Sequence, residues 1–131
     1  MASRAIRRMI CARPGVVAGI RRAISSAAAR MGAPGQYVDY AASKGAIETF
    51  TIGLAREVAT EGIRVNAVRP GIIETEIHAS GGQPERARQM APLVPMQRSG
   101  SADEVARAVV WLLSGEASYV TGSFVDVTGG R

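Results

Sequence analysis

The sequence has a single cysteine, Cys11, so no disulfide can close within the chain. One thiol suits a reducing, cytoplasmic compartment. No stretch of about 18 apolar residues occurs, which excludes a membrane-spanning helix of the usual length. Nowhere do His, Cys, Asp and Glu stand at metal-ligand spacings, and no metal site is expected. His78 is the only histidine; it falls in a loop-like stretch and reads as a solvated surface residue. Acidic residues are missing from residues 1–36, which hold seven arginines, while the remaining residues hold nine basic and eleven acidic ones. The formal net charge of +5 is therefore a property of the N-terminal segment. That segment has no aromatic residue to interleave with its arginines, so nucleic-acid binding is not expected.

What is present is enough for one domain. A chain of 131 residues, 47% hydrophobic and 21% charged, can bury a core. Val16–Ile24 contains a short apolar run interrupted by Arg21-Arg22 and reads as a poor strand. Residues 27–36 are a small-residue loop with turn chemistry at Gly32, Pro34 and Gly35. A long helix follows from about Val38 to Thr60, with Ile47, Phe50, Leu54 and Val58 forming an apolar stripe. Gly45 and Gly53 inside it suggest close packing against a neighbour, and Gly62 is the candidate C-cap. Ile63–Val68 reads as a strand stopped by Pro70-Gly71. The connection from Ile72 to Arg98, with a short helix expected within 83–91, is long enough to be a lid or binding loop. Ser101 and Glu104 form a capping box that starts a helix to Leu113, with Val105, Val109 and Leu112 on its core face. Trp111 lies between and is placed to reach a neighbouring element. Ser123–Val127 is the last strand, and Asp126 on it reads as a strand-edge or interface charge.

Within this frame, Tyr40 and Lys44 stand four residues apart on the long helix, which puts both side chains on one face. A phenol with a reference pKa near 10 is a poor acid or base at neutral pH. An ammonium beside it favours the phenolate. Ser25-Ser26, fourteen to fifteen residues before the tyrosine, adds a hydroxyl that can hold the same substrate oxygen. Together these are the parts for moving a proton to or from an alcohol or carbonyl oxygen.

Three stretches, Tyr37-Val38-Asp39-Tyr40-Ala41-Ala42-Ser43-Lys44-Gly45-Ala46, Arg64-Val65-Asn66-Ala67-Val68-Arg69-Pro70-Gly71 and Val120-Thr121-Gly122, resemble the short-chain dehydrogenase/reductase family in order and spacing. The resemblance covers roughly residues 25–131. It implies an α/β fold, the C-terminal part of a Rossmann-type doubly wound parallel sheet whose first strands and Gly-rich turn are missing. It also implies an NAD(P)(H)-dependent oxidoreductase that interconverts an alcohol and a carbonyl in a small-molecule substrate by hydride transfer. On this resemblance Tyr40 is the general acid/base, Lys44 tunes it and holds the nicotinamide ribose, and Ser26 orients the substrate oxygen, with Ser25 as the alternative. Pro70, Gly71, Ile73 and Thr75 match the loop that binds the cofactor's carboxamide, through the main chain of Ile73 and the hydroxyl of Thr75. The same resemblance implies a homo-oligomer formed through the helix around residues 40–58.

Dinucleotide binding also needs a glycine-rich turn between a strand and a helix N-terminus, where backbone N–H groups meet the pyrophosphate. No such turn stands in this sequence, nor an acidic residue beyond it, so NAD and NADP are not distinguished. The expectation is a chain truncated and inactive alone, with a non-enzymatic interaction or structural module as the alternative. Residues 1–24 form an atypical Arg-rich segment. A presequence, a divergent strand and a coding artefact are the three readings of it, and the abrupt onset of the family pattern near Ser25 favours the last.

Overall fold

The computed structural model describes residues 20–131, with side chains from residue 23 onward. The expected strand near 16–24 is observed as β1 over Ile20–Ile24; residues 16–19 lie outside the described part. A one-turn helix α1, Ala28–Met31, occupies the loop expected at 27–36. Helix α2 spans Val38–Val58 and tightens into a 3-10 turn, Ala59–Glu61, before Gly62 turns the chain at φ +71°. Strand β2, Arg64–Pro70, follows. The long connection carries β3 (Ile73–Glu74), α3 (Ile77–Ser80) and α4 (Arg86–Met90). Then come β4 (Gly100–Ser101), α5 (Ala102–Leu113) and β5 (Phe124–Val127).

Among the described residues the main sheet runs in the order β1-β2-β5, all parallel. Ile20 pairs with Arg64 and Ile24 with Val68, while Arg69 pairs with Asp126 on the other side of β2. A small parallel ladder joins β3 to β4. Side chains alternate between the faces of a strand. Val65 packs with Leu54, Ala55, Val58 and Ile63 on the α2 side. Its neighbour Arg64 points the other way and donates to the carbonyls of Leu112 and Ser114 at the end of α5. Helices therefore cover both faces, the doubly wound arrangement expected from the sequence. No helix among the described residues is long and apolar enough to cross a membrane.

Three expectations about packing are corrected. Helix α2 buries Ala41, Thr51, Leu54, Ala55 and Val58, whereas Phe50 is 50% exposed. The sheet side takes the small residues because they let the helix approach closely, and the large aromatic is turned outward. Gly45 and Gly53 face open space, so close packing does not explain them. Trp111 lines an open hollow on α5 together with Val110 and Ala106 instead of reaching another element. Of the expected core residues of α5, Leu112 is fully buried and Val105 and Val109 are half-buried.

Candidate active site

The parallel strands end on one side of the molecule, and the chemistry-bearing residues gather there. Strand β1 runs directly into Ser25 and Ser26. The Ser25 N–H donates to the Val68 carbonyl at 2.9 Å and the Ala27 N–H to the Pro70 carbonyl at 3.0 Å, so the two strand ends stay side by side. In open parallel sheets this carboxyl end is where ligands bind.

Helix α2 crosses these strand ends. Its Lys44 Nζ donates to the Ile24 carbonyl at 3.0 Å and lies 5.4 Å from the centroid of the Tyr40 ring. The one-turn spacing read from the sequence thus brings the ammonium to the phenol, and the strand carbonyl holds it there. Tyr40 itself is 39% exposed.

The two serines divide. Ser25 is 2% exposed, and its hydroxyl donates to Glu48 Oε1 at 2.8 Å, with the Lys44 carbonyl also within 3.4 Å. Ser26 is half-buried, and its Oγ accepts from the Ala28 N–H at 3.2 Å. The Ser26 hydroxyl hydrogen remains available for another acceptor, whereas that of Ser25 is committed.

Pro70 and Gly71 stand beside Ala27 on the neighbouring strand end, and the Gly71 N–H donates to the Val127 carbonyl at 2.9 Å. A Cβ at Gly71 would come within 2.8 Å of the Thr128 Cα, so only glycine permits this crossing. Ile73 is buried in the β3–β4 ladder, and Thr75 is exposed just beyond it. His78 is half-buried on α3 rather than solvated in a loop, with its Nε2 2.9 Å from the Ile73 carbonyl. The structure therefore brings Ser25 to the Lys44–Glu48 turn of α2 and Lys44 to Tyr40, with Ser26 next in the chain, sets Pro70-Gly71 on the adjacent strand end, and carries Ile73 onto the side ladder with Thr75 just beyond it. A cleft of about 410 Å³ opens beside this cluster, lined by Ala27, Arg30, Met31, Asp126, Thr128, Gly130 and Arg131.

Several polar residues at the site escaped the sequence reading. Glu48 receives the Arg69 guanidinium on both oxygens, with Nε–Oε1 2.5 Å and Nη2–Oε2 2.8 Å. That pairing, against the opposing effect of burial and with help from the Ser25 hydroxyl, holds the Glu48 carboxyl below its ordinary pKa. Asp126 is not simply an edge charge: it bridges Arg69 at 3.4 Å and Arg30 at 3.0 Å. The signal for these pairs is long-range, and only the alternation that puts Arg69 on the α2 side of β2 hints at them. Asn66 stands inside the Arg64–Gly71 motif. It is buried, donates to the Val120 carbonyl at 2.9 Å and accepts from the Ser123 N–H at 3.0 Å, so it shapes the loop leading into β5.

Comparison with known proteins follows the same lines. A family model described as enoyl-(acyl carrier protein) reductase matches residues 1–131. The chain is 65% identical over 108 residues to the uncharacterized oxidoreductase YgfF of Escherichia coli K12, which covers 82% of this chain and 44% of that protein. It is 47% identical over 107 residues to the 3-oxoacyl-[acyl-carrier-protein] reductase FabG of Salmonella typhimurium, covering 82% and 43% respectively. A crystal structure of a short-chain dehydrogenase/reductase, glucose/ribitol dehydrogenase, from Brucella melitensis superimposes with a TM-score of 0.74 at 37% identity, covering 85% of this chain and 44% of that one. The chain thus spans less than half the length of these relatives. With its parallel sheet, its helix-borne Tyr40 and Lys44 and this set of relatives, the chain belongs to the short-chain dehydrogenase/reductase family.

Proposed function

We propose that this chain carries the proton-handling and nicotinamide-facing part of an NAD(P)(H)-dependent oxidoreductase that interconverts an alcohol and a carbonyl. The observation that supports this most is the placement of Lys44: its ammonium is fixed on the Ile24 carbonyl, two residues before Ser26 in the chain, and lies 5.4 Å from the Tyr40 ring. Tyr40 gives its phenolic proton to the carbonyl oxygen during reduction and takes it back during oxidation. Lys44 keeps its ammonium beside the Tyr40 ring. The Ser26 hydroxyl donates to the same substrate oxygen, a role for which its uncommitted hydrogen suits it better than Ser25. When bound, a nicotinamide cofactor supplies or accepts the hydride on the substrate carbon.

The residues fit the nicotinamide end of such a cofactor. Lys44 offers an ammonium to a ribose hydroxyl, and the exposed Thr75 hydroxyl and the main chain of Ile73 suit a carboxamide. The Ile73 carbonyl already meets His78, which leaves the Ile73 N–H as the main-chain donor for that group. Gly71, pressed onto Thr128, lets the end of β2 pass close to the chain after β5.

Helix α2 leaves Val38, Phe50 and Ile52 exposed, an apolar surface that suits pairing with a second copy. Sedimentation at tens of micromolar tests this, and a clean monomer overturns it.

The decisive experiment joins this chain, from Ser25 onward, to the N-terminal part of its 65%-identical relative and follows NAD(P)H oxidation with small ketones and aldehydes. Tyr40→Phe is expected to lower turnover about 10²–10⁴-fold while cofactor binding stays nearly intact. Lys44→Ala is expected to weaken both. Turnover unchanged in Tyr40→Phe would overturn the assignment of Tyr40, and no turnover in the joined protein would leave the interaction-module reading standing.

A further inference from the structure

Glu48 takes no part in the proton chemistry above, yet the elements of the site converge on it. It lies one turn beyond Lys44 on the same face of α2. Its side chain is 14% exposed and that of its partner Arg69 13%. One carboxylate oxygen accepts from both the Ser25 hydroxyl and Arg69 Nε, and the other accepts from Arg69 Nη2. Arg69 in turn lies over the Phe124 ring at 4.2 Å and reaches Asp126, which holds Arg30. This single connected set ties the end of β1, the helix α2, the end of β2 and the strand β5. A two-pronged carboxylate–guanidinium pair fixes angle as well as distance. A pair so nearly buried is also costly to leave half-made.

We propose that the Glu48–Arg69 pair is the positioning unit for Lys44. By seating the Ser25 hydroxyl it holds the Ile24–Ser26 strand end against the Lys44–Glu48 turn of α2, and so keeps the Ile24 carbonyl where the Lys44 ammonium binds it, next to Tyr40. The importance of that placement rests on the function proposed above, but the placement itself can be measured without turnover.

Lys44 is the only lysine in the sequence. Incorporating lysine labelled with carbon-13 at Cε therefore gives one side-chain methylene signal in the whole chain. In the unmodified chain this signal is expected to be displaced from that of a solvated lysine, because the Tyr40 ring lies close to it. Glu48→Ala is expected to return it to the solvated position. Glu48→Gln keeps one oxygen that can accept from the Ser25 hydroxyl and Arg69 Nε while losing the acceptor for Arg69 Nη2, and is expected to restore at least half of the displacement. Arg98→Ala breaks an ion pair with Glu104 at the remote start of α5 and is expected to leave the signal in place. An unchanged Lys44 signal in a folded Glu48→Ala chain overturns the proposal, as does an equal shift in Arg98→Ala or a solvated signal in the unmodified chain. If circular dichroism shows Glu48→Ala unfolded, Ser25→Ala decides: it removes only the hydroxyl link, and an unmoved signal there is equally fatal. Failure of the Tyr40→Phe experiment in the joined protein would leave these outcomes untouched, so the two readings fall separately.

Discussion

The two helices that flank the sheet are held to it in different ways. On one face, α2 packs small residues, Ala41, Thr51 and Ala55, beside Leu54 and Val58, and adds the Glu48–Arg69 pair where the strands end. On the other face, α5 relies on one fully buried large side chain, Leu112, and on well-made ends. Its N-terminus carries a complete capping box, in which Ser101 Oγ accepts from the Glu104 N–H at 3.2 Å and Glu104 accepts from the Ser101 N–H at 2.8 Å. Arg64 closes its C-terminus by donating to the Leu112 and Ser114 carbonyls. The difference separates two tasks. The α5 face is a local, self-sufficient unit that steadies the sheet. The α2 face puts polar groups under cover because the site needs groups held at fixed angles, and apolar packing alone does not fix angles.

If that contrast is right, apolar truncation should hurt most on the α5 face. Leu112→Ala is expected to cost about 2–5 kcal/mol, because a single plug leaves a cavity with little to collapse into it. Urea unfolding followed by circular dichroism measures it, and a loss below about 1 kcal/mol would mean that α5 is not anchored there.

On the α2 face the matching change is polar. Glu48→Ala is expected to cost about 2–3 kcal/mol, somewhat under the figure for a fully buried pair, since both side chains keep some contact with water. Combined with Leu112→Ala, the two losses should add within a few tenths of a kcal/mol, because the residues share no partner. A strong departure from additivity would dissolve the division between the faces.

Smaller still is the cap. Ser101→Ala is expected to cost about 1 kcal/mol, and the loss should stay confined to α5 in amide exchange.

The smallest effect concerns acid. The Arg98 guanidinium, with the Ser101 N–H, holds the Glu104 carboxyl at a pKa of about 2. Glu48 is likewise held low, first by Arg69. A carboxylate whose folded pKa lies below its unfolded value stabilises the fold fully above the unfolded value, near 4.3, and loses that contribution as pH falls through the folded one. Stability should therefore decline as pH drops from about 4 towards 2, and Glu104→Gln should flatten part of that decline. An unaltered acid profile in Glu104→Gln would show that the exposed pair contributes nothing measurable.

Much of the scaffold was legible because its signals are local. The capping box at Ser101–Glu104 names its own helix start, since both partners lie within one turn. Gly62 and Pro70-Gly71 mark ends by backbone geometry. The extent of α2 came from periodicity, but its buried face did not. Phe50 looked like a core residue, and the sheet instead selected Thr51 and Ala55, because close approach across a flat surface favours small side chains over large ones. Gly45 and Gly53 misled for the same reason: their neighbours are set by what lies across from them, which the sequence does not state.

The sequence by itself determined that Tyr40 and Lys44 share a face of one helix and that strands and helices alternate. Each of these follows from residue spacing and backbone geometry within a short stretch of chain. Only the tertiary structure decided which serine is committed and which is available, because that depends on Glu48 arriving from another element. Likewise it alone joined Glu48 to Arg69, and Arg69 to Asp126, across separations of 21 and 57 residues. A carboxylate finds its guanidinium through the register of strands and the crossing of a helix, and neither distance nor angle between them is written in the local order of residues.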